Sequence, residues 1–288
     1  MRIRATVAAV SGALVLSAFA VPAAQAADAP SGKAPSGKAA FSAATADGSA
    51  TAAAALNVTF SNVKVNSGKA VVVGASAKVS VPVTYTLTHA ASLDTSSANF
   101  ASGPLIYRGT SVNSPTNEII SDDPGTCTAA STTVLTCKAT IYVRPADGDL
   151  LNTDAGAWKA GGLAITSAGA TKVQGDLGGV SVQRLSQLTV DAAPEPVKKG
   201  KTVTVTGKLS RANWETNKYA GYATQSVKLQ FRKKSATTYT TLKTIKTTST
   251  GTLKTTTTAT VDGYYRYSFA GTSTTPAVNA TGDYVDVQ

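Results

Sequence analysis

Alternation of apolar and polar residues with a period of two is the feature that most constrains the fold of this chain. Between residues 79 and 87, Val, Tyr and Leu occupy every second position, and Ser, Pro and Thr fill the positions between them. Residues 227–231 and 265–269 repeat the pattern, with Lys, Gln, Arg and Ser between the apolar residues. Successive side chains of a β-strand point to opposite faces of its sheet, so these segments are predicted to be strands buried on one face. No run with helical period follows the first 26 residues, and we therefore expect an all-β protein.

Short strands separated by Gly, Asn, Asp and Pro are typical of a β-sandwich. Pro82 has no backbone N–H, so its strand is predicted to run along a sheet edge or to bulge there. Leu242 and Ile245 break strict alternation, which predicts a bulge. We predict two tandem immunoglobulin-like sandwiches, residues 56–190 and 191–288, that meet at the proline-containing segment 191–196. Additional strands are predicted at 58–65, 70–73, 105–107, 134–143, 163–166 and 180–190.

The first 26 residues have the pattern of a secretory signal peptide. Arg2 and Arg4 precede an apolar run at 7–20, and Ala24-Gln25-Ala26 fits the small-residue cleavage rule. Residues 27–55 are rich in Ala, Ser, Gly, Lys and Pro, and we expect them to form a disordered linker. No later run is apolar enough to span a membrane. The protein is therefore predicted to be secreted, either extracellular or loosely associated with the cell wall.

Several segments also resemble known families. Residues 199–207, 227–232 and 262–267 resemble bacterial immunoglobulin-like modules at the C-termini of streptomycete secreted proteins. The leader, with residues 63–69 and 71–74, is similar to a family of actinobacterial secreted proteins of unknown function. The resemblance implies a sandwich fold and a bacterial source. It implies no activity, because function depends on sites that vary within one fold.

Positive charge is concentrated in the second predicted sandwich. The 288 residues carry 27 Lys and Arg against 16 Asp and Glu. Residues 57–190 hold nine basic and eight acidic groups, whereas residues 191–288 hold fourteen and six, a net charge of +8. Outside a bacterium, such an excess attracts anionic partners, namely wall polymers, phospholipid head groups or extracellular DNA. Alternatively, lysines on exposed strands only protect sheet edges from aggregation.

We predict a surface binding region within the second sandwich and no specific nucleic-acid partner. Exposed aromatic rings supply contact area at low entropic cost. The alternative, that half of these rings cover the core of the sandwich, is at least as well supported. Tyr239 and Tyr264 belong to the same aromatic set. The predicted binding residues are Lys228, Arg232, Lys233, Lys234, Trp214, Tyr219 and Tyr222.

The two cysteines, Cys127 and Cys137, are predicted to form a disulfide, since an even pair in an exported protein usually does. The nine residues between them suit a hairpin. A redox-active pair is the alternative, but the spacing is not Cys-x-x-Cys. The single histidine, His89, is expected at a sheet end, and no Gly-x-Ser-x-Gly motif accompanies it.

An acidic loop raises the possibility of calcium. Asp147, Asp149, Asn152 and Asp154 place four oxygen-bearing side chains within eight residues. The EF-hand pattern is broken at Leu151 and Asn152, and Asx turns explain the same residues without metal. No other cofactor is expected.

These observations favour a secreted, non-catalytic binding or adhesion module that recognises an anionic cell-wall polymer or another extracellular protein. The second possibility is a secreted enzyme inhibitor that binds through the loop around Cys127 and Cys137. A secreted hydrolase is the third, since a few loop carboxylates are present.

Overall fold

The computed structural model describes residue 41 and residues 55–288. The predicted signal peptide and nearly all of the predicted linker lie outside the described residues. Three short 3₁₀ helices span Asn66–Gly68, Pro145–Asp147 and Asn152–Asp154. The strands in the described part of the chain are β1 (Val58–Val65), β2 (Val71–Val73), β3 (Val79–His89), β4 (Phe100–Arg108), β5 (Asn117–Ile120), β6 (Thr126–Ser131), β7 (Val134–Val143), β8 (Gly156–Thr166), β9 (Thr171–Gln174), β10 (Gly179–Arg184), β11 (Ser186–Leu188), β12 (Asp191–Ala193), β13 (Thr202–Asn213), β14 (Lys218–Gly221), β15 (Ser226–Lys233), β16 (Thr240–Lys246), β17 (Thr252–Thr258), β18 (Gly263–Phe269), β19 (Val278–Asn279) and β20 (Asp283–Val285).

The first sandwich is made of β1 to β10. One sheet has the order β1-β3-β7-β6, and the other has the order β2-β10-β8-β4-β5 with β9 added to β8. Within the described residues β2 pairs in parallel with β10, and the other named pairs of this sandwich are antiparallel. Val, Ile, Leu and aromatic side chains from both sheets meet between them. The prediction of an all-β protein built from β-sandwiches is confirmed.

The second sandwich is made of β11 to β20. In one sheet β13 pairs with β11, β12, β14 and β17, and the other has the order β16-β15-β18-β19 with β20 added to β18. Its core includes Val203, Val205, Leu229 and Tyr267. Leu229 and Tyr267 occupy the inward positions that the alternation predicted. β11 already pairs with β13, so the second sandwich begins near residue 186 rather than at 191.

A tryptophan from the second sandwich lies in the core of the first. Trp214 follows β13, is 2% exposed and packs with Val73, Trp158 and Val182. Its Nε1 donates to the Gly74 carbonyl at 3.0 Å. The prediction of a surface-binding role for Trp214 is therefore wrong. An indole can bury its large apolar surface when its N–H has a hydrogen-bond acceptor. The first sandwich supplies an apolar core for the ring and the Gly74 carbonyl as the acceptor.

Polar contacts surround this anchor. Asn152 donates from Nδ2 to Asn213 Oδ1 and to Glu215 Oε2, both at 2.8 Å, and accepts from the Trp214 amide at 3.1 Å. Arg184 Nε donates to the Ala212 carbonyl at 2.6 Å. Burial lowers the pKa of Arg184 to about 10. Residues 55–288 accordingly belong to one compact unit.

Phe41 contradicts the prediction of a disordered linker at its own position. The side chain is 0% exposed and packs with Leu105, Tyr107 and Leu163 on the outer face of the sheet that contains β4 and β8. Gly103 allows this contact, because a Cβ at that position would overlap the Phe41 ring. Burial of one aromatic ring is enough to hold Phe41 against the sheet, although the composition around it is that of a linker.

The strand that contains Pro82 is not an edge strand. β3 lies between β1 and β7, and Pro82 pairs with Thr140 of β7. Proline is tolerated there because the register of β1 ends where Val65 meets Val83, one residue short of it. The predicted bulge near Leu242 is confirmed by a register shift opposite Leu229 and Gln230.

Among the described residues, no helix is long and apolar enough to cross a membrane.

Candidate functional site

The outer face of the β15–β18 sheet carries a concentration of basic and aromatic side chains. On β15, Val227 and Leu229 are buried, so Lys228, Gln230 and Arg232 lie on the opposite, outer face. On β18, Tyr265 and Tyr267 are buried, which places Tyr264 and Arg266 outward. Antiparallel register sets Arg232 opposite Tyr264 and Gln230 opposite Arg266. Cross-strand neighbours of this kind lie close enough to interact.

Arginine and tyrosine side chains on this face form stacked cation–π contacts. The Cζ atom of Arg266 is 3.8 Å from the Tyr239 ring centroid, and Cζ of Arg232 is 3.9 Å from that of Tyr264. Cζ of Arg232 is also 5.4 Å from the Tyr239 centroid. Tyr284 of β20 extends the row, with its ring centroid 5.2 Å from that of Tyr264. We call Arg266, Tyr239, Arg232, Tyr264 and Tyr284 the arginine–tyrosine ladder.

Most hydrogen-bonding capacity of the two ladder guanidiniums is unused within the described part of the chain. Arg232 donates from Nη1 to the Ala236 carbonyl at 3.0 Å, and Arg266 donates from Nε to Gln230 Oε1 at 2.9 Å. Neither arginine has an ion pair with a carboxylate of the described residues. Each side chain is partly exposed. The ladder therefore presents fixed, positively charged donors to solvent.

One end of the ladder carries a partly neutralised lysine. Nζ of Lys234 is 5.2 Å from the Tyr284 centroid and 4.0 Å from Asp262 Oδ2. The Val287 amide donates to Asp262 at 2.9 Å, and this bond, above all, lowers the pKa of that carboxyl. A bond to Tyr284 is the main cause that raises the pKa of Lys234. The charge of Lys234 is offset locally, so the uncompensated cations lie toward Arg232 and Arg266.

The predicted surface residues separate into two groups. Arg232 belongs to the ladder, Lys228 lies on the same face, and Lys233 and Lys234 follow at the end of β15. Tyr219 instead packs against the core of the first sandwich. Tyr222 packs against Phe269 and under Arg211, whose Cζ is 3.8 Å from its ring centroid. The structure brings neither Tyr219 nor Tyr222 into the ladder.

Two ladder residues, Arg266 and Tyr284, were missed as binding residues by the sequence analysis. The signal for Arg266 was present, because alternation that buries Tyr265 and Tyr267 must turn Arg266 outward. Tyr284 lies in a three-residue strand, too short for alternation to predict its direction.

The disulfide between Cys127 and Cys137 is confirmed. It joins directly opposed residues of β6 and β7, with Cα atoms 4.1 Å apart. β6 is an exposed edge strand of its sheet. Beside it lies an open trough of about 620 Å³ whose lining includes Phe100, Ser102 and Leu135.

Three of the four residues of the predicted calcium loop have side chains that are hydrogen-bonded within the protein. Asp149 Oδ2 accepts from the Arg144 amide at 2.7 Å, and Asp154 Oδ2 accepts from the Leu151 amide at 2.8 Å. Asn152 belongs to the contacts around Trp214, and Asp147 is exposed. Within the described ranges, no group of three His, Cys, Asp or Glu side chains has the arrangement of a metal site. Calcium binding stays an untested prediction.

Comparison with known proteins leaves the family open. No protein-family model and no curated protein matches the sequence. Solved structures similar to the chain include the Yersinia pseudotuberculosis adhesin InvE, at 14% identity and a TM-score of 0.25 over 80% of this chain and 58% of that one. The D00-D0 domain of intimin matches at 14% identity and 0.26, over 77% and 98% of the two chains. A teleost fish polymeric immunoglobulin receptor ectodomain matches at 15% and 0.21, over 79% and 98%. The chain thus spans little more than half of the Yersinia adhesin chain, and scores this low support no conclusion about activity.

Proposed function

We propose that this protein is a secreted, non-catalytic binding module that attaches to an anionic extracellular polymer through the outer face of the β15–β18 sheet. The observation that carries the proposal is the arginine–tyrosine ladder, which holds two guanidiniums in place and leaves most of their donors free. Ring stacking restricts long arginine side chains before a ligand arrives, so less entropy is lost on binding.

Charge distribution supports the same surface. The second sandwich carries the excess of basic residues. Among its described residues, one ion pair is formed, between Lys234 and Asp262. A surface with uncompensated cations raises the local concentration of polyanions and speeds their association. The predicted signal peptide and the Cys127–Cys137 disulfide support an extracellular location.

A non-catalytic role agrees with the surroundings of the one histidine. His89 is buried at the end of β3, with Nδ1 2.9 Å from the Ala90 carbonyl oxygen. A triad histidine must instead reach a nucleophile.

Co-sedimentation with an isolated cell-wall fraction tests the proposal. The whole chain is used, because Trp214 ties the two sandwiches together. We expect retention at low salt and release at about 0.5 M salt, where the Debye length is only a few ångströms. R232Q/R266Q should lose retention. K208Q/K254Q removes the same charge from exposed lysines of the other sheet and should stay bound.

Equal loss in both variants would show that only net charge matters and would reject the ladder face as the site. Absence of retention at every salt concentration would reject wall binding altogether.

Enzyme inhibition is the second candidate, and a specific observation favours it. The disulfide-braced hairpin exposes the free edge of β6 beside the trough. Extended chains bind such edges by adding a strand. An inhibitory complex of this kind should persist at high salt and be unaffected by R232Q/R266Q.

A further inference from the structure

We infer that the ladder is a two-arginine site for phosphate or sulfate groups carried in succession on a polymer chain. This inference rests on the proposed function and specifies the ligand of the same face. It follows from the spacing of the arginines, the number of free donors and the absence of a competing carboxylate between the two arginines in the described structure.

The spacing of the arginines comes from Tyr239. Both guanidinium carbons lie within 5.4 Å of its ring centroid, although Arg232 is on β15 and Arg266 on β18. Gln230 fixes the second one by accepting from its Nε. Two cations held this closely without a carboxylate repel each other. A ligand that places an anionic group at each arginine removes that repulsion.

The donor count favours groups with many oxygen atoms. A guanidinium has five N–H donors, and each ladder arginine commits one of them within the described structure. Four remain on each. A carboxylate offers two oxygens, whereas phosphate and sulfate esters add further oxygen acceptors around a tetrahedral centre. Planar guanidinium forks bind such groups through paired, charge-assisted hydrogen bonds.

Neighbouring residues suit a chain rather than a single ion. Lys228 lies on the same face beyond Gln230. The nearest described ion pair, Lys234 with Asp262, is at the Tyr284 end. An extended polyanion thus meets further positive charge at Lys228, beyond Gln230. Free inorganic phosphate can bind only one of the two arginines at a time and should bind far more weakly than a chain that binds both.

Replacing arginine with lysine distinguishes this site from general electrostatic attraction. R232K/R266K keeps the net charge and loses the planar forks and the stacking. The probes are inorganic polyphosphate, heparin and poly-glutamate of similar length, measured with the full chain by fluorescence anisotropy at constant ionic strength. Polyphosphate and heparin separate the phosphate source from the sulfate source.

We expect R232K/R266K to weaken binding of polyphosphate, heparin or both about tenfold, the effect of losing roughly one or two charge-assisted hydrogen bonds. K208R/K254R, on the other sheet, should leave every affinity unchanged. The wild-type chain should bind poly-glutamate at least several-fold more weakly than the preferred probe.

Three results would overturn the inference. Unchanged affinity in R232K/R266K would leave an electrostatic surface without a phosphate or sulfate site, and the proposed function would survive. Poly-glutamate binding as tight as that of the other probes would reject the ligand class alone. If the wild-type chain binds no polyanion, both the inference and the proposed function fail. Thermal unfolding of each variant confirms that it is folded.

Discussion

Gly282 makes room for Tyr239, the ring on which Arg266 stacks and near which Arg232 lies. A Cβ at this position would overlap the Tyr239 hydroxyl and lie 3.3 Å from Cβ of Tyr264. Its backbone is outside the left-handed region, so alanine fits the backbone itself. In Gly282→Ala, the new methyl group therefore displaces the hydroxyl end of the Tyr239 side chain, which can move. A substitution at position 282 should therefore move a ladder residue and leave the packing of the core unchanged.

Gly282→Ala is predicted to displace Tyr239 and lower polyanion affinity about two- to fivefold, the value of one exposed cation–π contact of roughly 0.5–1 kcal/mol. The chain should stay folded. Titration with polyphosphate and a thermal melt measure the two effects. Gly179→Ala is the matched control, since a Cβ there meets nothing within 4 Å. Unchanged affinity in Gly282→Ala would mean that Tyr239 does not position the arginines.

The face to which a side chain points could be predicted from the sequence only for residues within a strand, where apolar and polar residues alternate. Alternation placed Lys228 and Arg232 outward correctly, because Val227 and Leu229 between them are buried. Tyr239 lies between β15 and β16, and its contact with Arg266 depends on how that connection folds. No local pattern encodes this contact. The sequence thus predicted one cation of the site, Arg232, and named Tyr239 among the aromatic residues, but it predicted neither Arg266 nor the contact that arranges the two arginines.

At the scale of elements, the hairpin of β13 and β14 joins the two sandwiches by inserting Trp214. Large-to-small changes of a fully buried Trp cost about 3–5 kcal/mol. Trp214→Ala also leaves the Gly74 carbonyl without its 3.0 Å donor. Because the lost contacts belong to both sandwiches, the change should weaken their coupling as well as their stability.

Urea unfolding of the full chain is predicted to show one transition for the wild type and two for Trp214→Ala, the first shifted by about 3 kcal/mol or more. Circular dichroism and Trp158 fluorescence report the transitions separately. Glu215→Ala removes the two hydrogen bonds that Asn152 donates to this carboxylate and keeps the indole, so it should cost about 1–2 kcal/mol. A single, unshifted transition in Trp214→Ala would show that the anchor is dispensable.

Element boundaries were predicted best where strands are long and regular. The predicted strands at 58–65 and 134–143 coincide with β1 and β7. Residues 180–190 were read as one strand, but β10 ends at Arg184 and β11 begins at Ser186 in the other sandwich. Alternation shows which residues share a face. It does not show where a strand lies in its sheet, and the Pro82 prediction was wrong for that reason. Trp214 follows the end of β13, where alternation gives no direction for its side chain.

At the scale of the whole molecule, each sandwich contains a buried tyrosine whose hydroxyl is bonded to backbone. Tyr85 Oη donates to the Ser102 carbonyl at 3.0 Å in the first, and Tyr267 Oη donates to the Val205 carbonyl at 2.8 Å in the second. Burial raises the pKa of Tyr85 to about 12 and raises the pKa of Tyr267 as well. Both groups must stay protonated in the folded state, whereas an unfolded chain releases the protons near pH 10.

Stability is therefore predicted to fall as pH rises above about 10. Below that pH the unfolded and folded chains bind these protons equally. Between pH 10 and 12 the unfolded chain alone loses them, which favours unfolding, and Tyr85 contributes about 2 kcal/mol of loss by pH 12. Lysines lose charge in the same range, so the measurement is a comparison of urea unfolding between wild type and Y85F/Y267F from pH 8 to 12. The double variant should be less stable at pH 8, where it lacks two hydrogen bonds, and should lose less stability by pH 12. Parallel curves would show that these hydroxyls ionise as easily in the folded protein as in water. Because Trp214 couples the sandwiches, titration in either core should unfold both together.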